Sequence, residues 1–401
     1  MPLLPVGEAH RRILDGVAPL PAEQVDLLQA AERVLAEDVH ASLTQPPFDA
    51  SAMDGYAVRA ADVARVPVTL RLVGESAAGS PFAGEPHAGE TVRIFTGASM
   101  PRGTDAVVIQ EDTERAGDGV VVREAVPAGA NIRPAGGDFR TGDRLLPRGR
   151  LLDAAAITLA AAGGNARLAV RRRPRVAILA TGDELVEPGT KPGPGQIISS
   201  NSYGLAALVK RFGGDPHLLG IAGDTIEDLR AKLAAAEDPD VLITIGGASV
   251  GDRDLVKPAL EAYGMSLDFW KVAIRPGKPM LFGRRGTTRV LGLPGNPLSC
   301  LIAARIFLVP LLFALQARDG DALAPQMAVL ASDLPANGDR QHYMRATSAP
   351  SPDGLARVVA LTSQDSAHMS ALAAADVLIV RAPEAPAARA GERVHVLPLD
   401  F

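Results

Sequence analysis

Residues 176–260 alternate short apolar, β-branched runs with helical patterns, and no other feature of this 401-residue chain constrains its fold as strongly. Residues 176–180, 217–221 and 241–245 read as strands, and 203–211 and 226–236 as helices between them. Strands separated by helices of this length form βαβ units and a parallel sheet. Ligands in such sheets bind beyond the C-terminal strand ends. Here those ends carry Asp183 and Glu184, then Asp224, then Asp252 with Asp254. One acidic residue after a strand is ordinarily a helix cap. The same chemistry at three ends of one sheet points to a shared cation site built from Glu184, Asp224 and Asp252.

The third of these ends is the most detailed. The run 241–245 passes directly into Gly246 and Gly247, then Ser249, Gly251, Asp252 and Asp254, then a helical pattern through Leu255, Val256 and Leu260. Two readings are open. Bare backbone N–H groups, a helix start and two carboxylates can together hold a phosphate and Mg²⁺. Alternatively, the stretch is a tight strand-to-helix turn capped by Asp252 or Asp254. Two further loops belong to this region. Residues 272–280 set Arg275 and Lys278 around a Pro-Gly turn, an arrangement suited to a phosphate or oxyanion. Residues 290–299 again run strand, glycine turn and helix start, with Pro294, Asn296 and Ser299 placed to meet an anion.

Outside this region the texture changes. Residues 2–40 read as two helical stretches, the second over 25–35, and 151–162 as another helix packing back on them. From residue 43, strand-like runs at 68–73, 90–95, 106–109 and 119–122 form an inserted β domain. Its loops mix aromatics with polar groups: Phe48, Met53 and Tyr56 around Asp54; Thr96 before Gly97; Asp138 after Gly136-Gly137. From about residue 326 the chain turns β-like again. There Arg340, Tyr343 and Arg345 are read as one strand with both arginines on one face, near a polar loop that contains Ser366. The expected organisation is α/β and multidomain. A helical linker domain takes 1–42 and 141–172, and the inserted β domain takes 43–140. A central α/β domain takes 173–320, and a barrel-like β domain takes 321–401.

A formal net charge of -5 gives no support to a nucleic-acid surface. The single cysteine, Cys300, excludes an intrachain disulfide framework and fits a reducing cytoplasm. Charges within the first dozen residues leave no signal-peptide core. The apolar run 298–315 carries Arg305 and Pro310 mid-way, so it reads as a buried helix and not as a membrane span.

Seven motifs in fixed order then match one family: MDGYAV, FTGASMP, the GGD at 136–138, LATGDEL, GGASVGDRD, IRPGKP and LPGNP. Together they resemble the molybdopterin molybdotransferases, the MoeA-type enzymes that include the E domain of gephyrin. The resemblance is strong to about residue 310 and looser beyond, where it rests on the R-x-x-aromatic-x-R pattern of Arg340 to Arg345 and on Ser366. It implies a cytoplasmic homodimer that uses adenylylated molybdopterin and molybdate with Mg²⁺ and releases AMP. A molybdopterin adenylyltransferase would act upstream as a partner. It further implies an active cleft shared between subunits. Asp54, Thr96 and Asp138 would face that cleft from the inserted domain, and Glu184, Asp224 and Asp252 from the sheet ends. Arg275 and Lys278 would bind phosphate or molybdate there. The family often has lysine where this chain has Arg275, so a planar fork replaces a point charge. The alternatives are a molybdopterin adenylyltransferase or related nucleotide-processing enzyme, and a gephyrin-like scaffold.

Overall fold

The structure is a computed structural model that describes residues 3–247, 255–352 and 354–400. Its centre is a six-stranded sheet. The order is Asp215–Ala222, Arg175–Thr181, Val241–Ile245, Thr288–Leu293, Leu281–Arg285 and Ser266–Trp270. The first four strands are parallel, as expected; Leu281–Arg285 alone runs against them, pairing antiparallel with Thr288–Leu293 and with Ser266–Trp270, which therefore runs in the direction of the first four. Only Gly286 and Thr287 join Leu281–Arg285 to Thr288–Leu293. That connection is far too short for a crossover, so the pair must be an antiparallel hairpin.

The side chains of the parallel strands sort by parity. Val176 and Ile178 belong to the core on one side, and Ala177 and Leu179 to the core on the other. Helices Asn201–Arg211 and Pro297–Ala303 cover the first side, and Ile226–Ala234 and Val256–Ala262 the second. With both faces covered, Val241–Ile245 is apolar throughout apart from Thr244, and buried throughout.

The apolar run reads correctly as a core helix. Residues Pro297–Gln316 are long and apolar enough to cross a membrane, yet they lie buried inside the protein. Arg305 is accommodated there because its guanidinium reaches Asp400 at 3.1 Å and the Ala322 carbonyl at 2.8 Å. Pro310 has no N–H to give to the carbonyl four residues back, Ile306. A π-helical turn at Ala304–Leu308 precedes the proline, and the Ile306 carbonyl is met from outside, by His10 Nε2 at 2.7 Å. The His10 ring also packs, tilted, against Phe307. The first helix, Val6–Leu14, therefore docks on the central domain and not on the linker.

The linker differs from expectation in one stretch. Residues 25–35 do not form a helix. Ala22–Asp26 is a strand paired antiparallel with Arg167–Arg171, followed by a single helical turn, Leu27–Ala30. The helix-like spacing arises because Ala30, Leu35 and Val39 all pack on Ala156 and Ala160 of the helix Ala154–Ala162. Arg172 fixes this unit to the central sheet through two hydrogen bonds to Asp240, at 2.8 and 2.9 Å.

The inserted domain is a six-stranded sheet around Gly55–Val58 and Glu90–Ile94. Gly55 is dictated by packing, since a Cβ there would sit 2.0 Å from the Val108 carbonyl oxygen. At the C-terminus five strands close into a barrel, in the order Gln341–Ala349, Ala356–Ala360, Gln326–Leu330, Arg393–Pro398, Val377–Arg381 and back. Arg340 and Arg345 do not share a face. They are five residues apart, an odd number, and Arg340 precedes the strand while Arg345 is fully buried within it.

His10 gives this fold a pH dependence. Burial lowers its pKa below the ordinary 6.5. The unfolded chain takes up a proton near pH 6.5 that the native His10 resists, so its contribution to stability is full above that pH and declines below it. His10→Ala is expected to cost about 1–3 kcal/mol at pH 7.5, because the Ile306 carbonyl loses its donor. It should also flatten the loss of stability on acidification. Unfolding midpoints measured from pH 7.5 to 5 check both effects, and an unchanged midpoint would exclude this role.

Candidate active site

The parallel strands of the central sheet end level. Ile245 lies opposite Ala180 on one side and Leu293 on the other. Beyond these ends opens a cavity of about 530 Å³. Four strand ends supply its walls: Thr181, Gly182, Glu184 and Leu185; Asp224; Gly246 and Gly247; and Pro294, Gly295, Asn296 and Pro297. The segment leading into the next helix adds Ile197 to Asn201, and Pro279 comes from the Pro-Gly turn.

Glycine at 246 is a geometric requirement. Its φ is +92°, and a Cβ there would lie 2.9 Å from both the carbonyl oxygen and Oγ1 of Thr181. Its N–H does not face a ligand, because it donates to the Leu293 carbonyl at 3.1 Å. Gly246 thus contributes the absence of a side chain, which lets two strand ends approach, and not an anion-binding amide.

The acidic turns divide into caps and carboxylates that have no hydrogen-bond partner among the described residues. Asp183 Oδ1 accepts from the Asp224 amide at 2.9 Å, and Asp228 Oδ2 from the Gly223 amide at 2.6 Å. Both side chains hold the turn. Glu184 and Asp224 are left exposed on the cavity wall. Among the described residues, no group of three or more His, Cys, Asp or Glu could hold a metal by itself. Two carboxylates still suit Mg²⁺, which takes one or two carboxylates and completes its shell with substrate phosphate and water.

Of the residues singled out in the sequence, Glu184, Asp224, Gly246, Gly247, Pro294 and Asn296 line the cavity. Ser249, Asp252 and Asp254 lie outside the described residues. Lys278 is exposed beside the wall residue Pro279, and Arg275 is exposed further along the same turn. Ser299 is buried in the helix that starts at the cavity and is not part of its wall. Ser366 meets the rim, its Oγ accepting from Asn296 Nδ2 at 2.9 Å. Arg345 acts one step back. Its guanidinium donates to the carbonyls of Ser363 at 2.8 Å and Asp365 at 3.2 Å, and so clamps the loop that carries Ser366.

Asp54, Thr96 and Asp138 are not part of the cavity wall. Asp54 and Thr96 are nevertheless joined, since Asp54 Oδ1 accepts from the Thr96 amide at 2.7 Å and from its hydroxyl at 2.8 Å. These two bonds, the amide first, hold the Asp54 carboxyl below its ordinary pKa. Asp138 is exposed on a neighbouring loop. Ile197, Ile198, Ser199, Ser200 and Asn201 also line the cavity and carry no site reading in the sequence. The available signal was their position, just ahead of a helix and therefore at the end of the sheet where ligands bind.

With this geometry in view, comparison with known proteins is decisive. The N-terminal region model of MoeA (domains I and II) matches residues 4–164, a probable molybdopterin binding domain matches 177–314, and the MoeA C-terminal region (domain IV) matches 327–399. This chain belongs to the MoeA family. A molybdopterin molybdenumtransferase of Haemophilus influenzae is 35% identical over 99% of both chains. One from a Nostoc species is 42% identical over 72% of this chain and 68% of its own. The crystal structure of a molybdopterin biosynthesis MoeA protein from Pyrococcus horikoshii superposes with a TM-score of 0.85. It is 29% identical and covers 99% of this chain and 100% of its own. The resemblance carried by the seven motifs therefore holds over nearly the whole chain.

Thr96→Val removes one of the two bonds that depress the Asp54 pKa. The Asp54 carboxyl should then titrate closer to the ordinary value of about 4 without reaching it, because the Thr96 amide remains. Carboxyl ¹³C chemical shifts followed against pH measure this, and an unmoved titration would exclude the hydroxyl's role.

Proposed function

We propose that this chain is the transferase that inserts molybdate into adenylylated molybdopterin and releases AMP, in the biosynthesis of molybdenum cofactor. The relatives' names favour transfer of molybdenum over adenylylation of the pterin. The observation that carries the reading is the pairing of Glu184 and Asp224 on one glycine-walled cavity whose described lining has no cysteine, histidine, lysine or arginine. Such a site positions charge and offers no nucleophile of the Cys or His–Ser type. Cleaving a phosphoanhydride needs positioning and charge neutralisation above all.

Glu184 and Asp224 would hold Mg²⁺ through carboxylate oxygens, and the charge it supplies there neutralises the diphosphate. The helix beginning at Pro297 directs its positive end at the same space, where it favours phosphate. Lys278 and Arg275, on the neighbouring turn, are suited to molybdate, a tetrahedral dianion. Ser249, Asp252 and Asp254 come two, five and seven positions after Gly247 in sequence and are assigned to the same site. Cys300 is not assigned to molybdenum, because it is buried and burial pushes its thiol pKa up.

Asp54, Thr96 and Asp138 complete the reading if the protein is a homodimer and these residues reach the cavity of the other subunit. The proposal includes a cytoplasmic location and an upstream adenylyltransferase, since the substrate arrives already adenylylated. Purified protein given adenylylated molybdopterin, molybdate and Mg²⁺ should release AMP and form active cofactor. Asp224→Asn should lower turnover about 100-fold or more and raise the Mg²⁺ needed, with the unfolding midpoint nearly unchanged. Near-normal turnover of this variant at low Mg²⁺ would exclude the assignment.

A further inference from the structure

Arg93 stands on the inserted-domain strand Glu90–Ile94, directly opposite Tyr56 of Gly55–Val58 and two residues before Phe95. Its fork goes to two neutral oxygens and not, among the described residues, to a carboxylate. Nη1 donates to the Gly55 carbonyl at 3.1 Å, and Nη2 to Gln110 Oε1 at 2.7 Å. The guanidinium carbon lies over two rings, 5.0 Å from the centre of Tyr56 and 4.9 Å from that of Phe95. Both distances are in the range of a cation–π contact. Every one of these contacts falls beside Asp54 or Thr96. Gly55 and Tyr56 follow Asp54 in the chain, and Phe95 precedes Thr96. Gln110 closes the circle, because its amide donates to the Asp54 carbonyl at 3.0 Å. Arg93 thus braces both segments that meet where Thr96 holds Asp54 Oδ1. Its charge acts there too: the Thr96 amide, the Thr96 hydroxyl and then the Arg93 charge lower the Asp54 pKa, against the opposing effect of burial. A sheet face that needed only cover would be served by an aliphatic side chain. Two directed hydrogen bonds and two ring faces call for a planar fork.

We propose that Arg93 is a positioning residue for the reaction. It holds the Asp54 and Thr96 segments in one geometry, so that Oδ1 of Asp54 is kept by Thr96 and Oδ2, which accepts no hydrogen bond among the described residues, stays open to the substrate. This rests on the reaction proposed above, in which Asp54 faces the cleft. Arg93 acts through Asp54 and not on the substrate.

Three variants of the full chain test this: Arg93→Ala, Arg93→Lys and Phe95→Leu. For each, the Asp54 carboxyl is titrated by ¹³C chemical shift, AMP release gives kcat and KM, and the unfolding midpoint is recorded. Arg93→Ala should raise the Asp54 pKa towards the ordinary value and lower kcat about 10- to 100-fold, with KM within about twofold of native. Arg93→Lys keeps the charge but not the planar fork. Its Asp54 titration should move less than in Arg93→Ala, while kcat still falls about tenfold. Phe95→Leu keeps the arginine and removes one ring, so it should move both readings in the same direction by less, and it serves if Arg93→Ala does not fold. The proposal is overturned if the Asp54 titration is unmoved in Arg93→Ala, or in Phe95→Leu where that variant stands in. It is also overturned if Arg93→Lys has native kcat, since charge alone would then suffice, or if the variants lower only the unfolding midpoint, the mark of a purely structural Arg93. The titration needs no substrate. A moved titration with native kcat would therefore overturn the place of Asp54 in the reaction, and absence of AMP release by the native protein would overturn the reaction itself and leave the titration to decide Arg93 alone.

Discussion

The close approach at Gly246 is the constraint on which the site depends. Strand Val241–Ile245 lies between Arg175–Thr181 and Thr288–Leu293 in parallel register, and all three end level. To leave the sheet there, the chain must pass the Thr181 carbonyl at a distance that no Cβ tolerates, with φ in the left-handed region. The Gly246 amide finishes the ladder to Leu293, and Thr181 Oγ1 donates to the Ile245 carbonyl at 3.1 Å. The strand ends are thereby locked together. Their turns project Glu184, Asp224 and Asn296 into a common space, and this is the general property of open α/β sheets put to use.

The other domains act on that space from a distance. The C-terminal barrel reaches it through a chain of contacts. Arg345, sealed in the barrel, holds the carbonyls of Ser363 and Asp365; Gln364 bonds back to the Arg345 backbone; Ser366 meets Asn296. A buried arginine spent on backbone carbonyls is a positioning device, and it ties barrel to cavity without entering it. The strand Ile274–Arg275 adds a second tie by pairing with Gln341–Ala349. The turn that carries Arg275 and Lys278 is thus set by both domains.

Much of this was legible in the sequence, because period and punctuation are local signals. The four parallel strands of the central sheet, the core helix with its internal Arg305 and Pro310, the inserted β domain and the C-terminal strands all announce themselves in that way, whereas Leu281–Arg285 and Ser266–Trp270 do not. Three further things were not legible, each for a physical reason. The stretch 25–35 has helical spacing because its apolar residues share one neighbouring helix, while its backbone pairs with Arg167–Arg171, far along the chain. The burial of Arg345 depends on carbonyls eighteen and twenty residues away, which no spacing rule reveals. The division of the acidic turns into caps, Asp183 and Asp228, and carboxylates unpartnered among the described residues, Glu184 and Asp224, is decided by single hydrogen bonds. The motif resemblance pointed to Glu184 and Asp224, which line the cavity, but it did not show that Gly246 serves by lacking a side chain, or that Asn201 stands on the wall.

The central claim is that one working cleft combines the sheet-edge carboxylates of one protomer with Asp54 of another. Mixing two inactive variants tests it most directly. Asp54→Asn and Asp224→Asn proteins, each without turnover alone, are unfolded together and refolded one to one. In a twofold dimer with shared clefts, half the molecules are then mixed dimers, and each of those has one cleft free of both substitutions. AMP release should recover to about a quarter of the native rate. No recovery, with mixed dimers shown to be present, would contradict the account and place both residues in the cleft of a single chain.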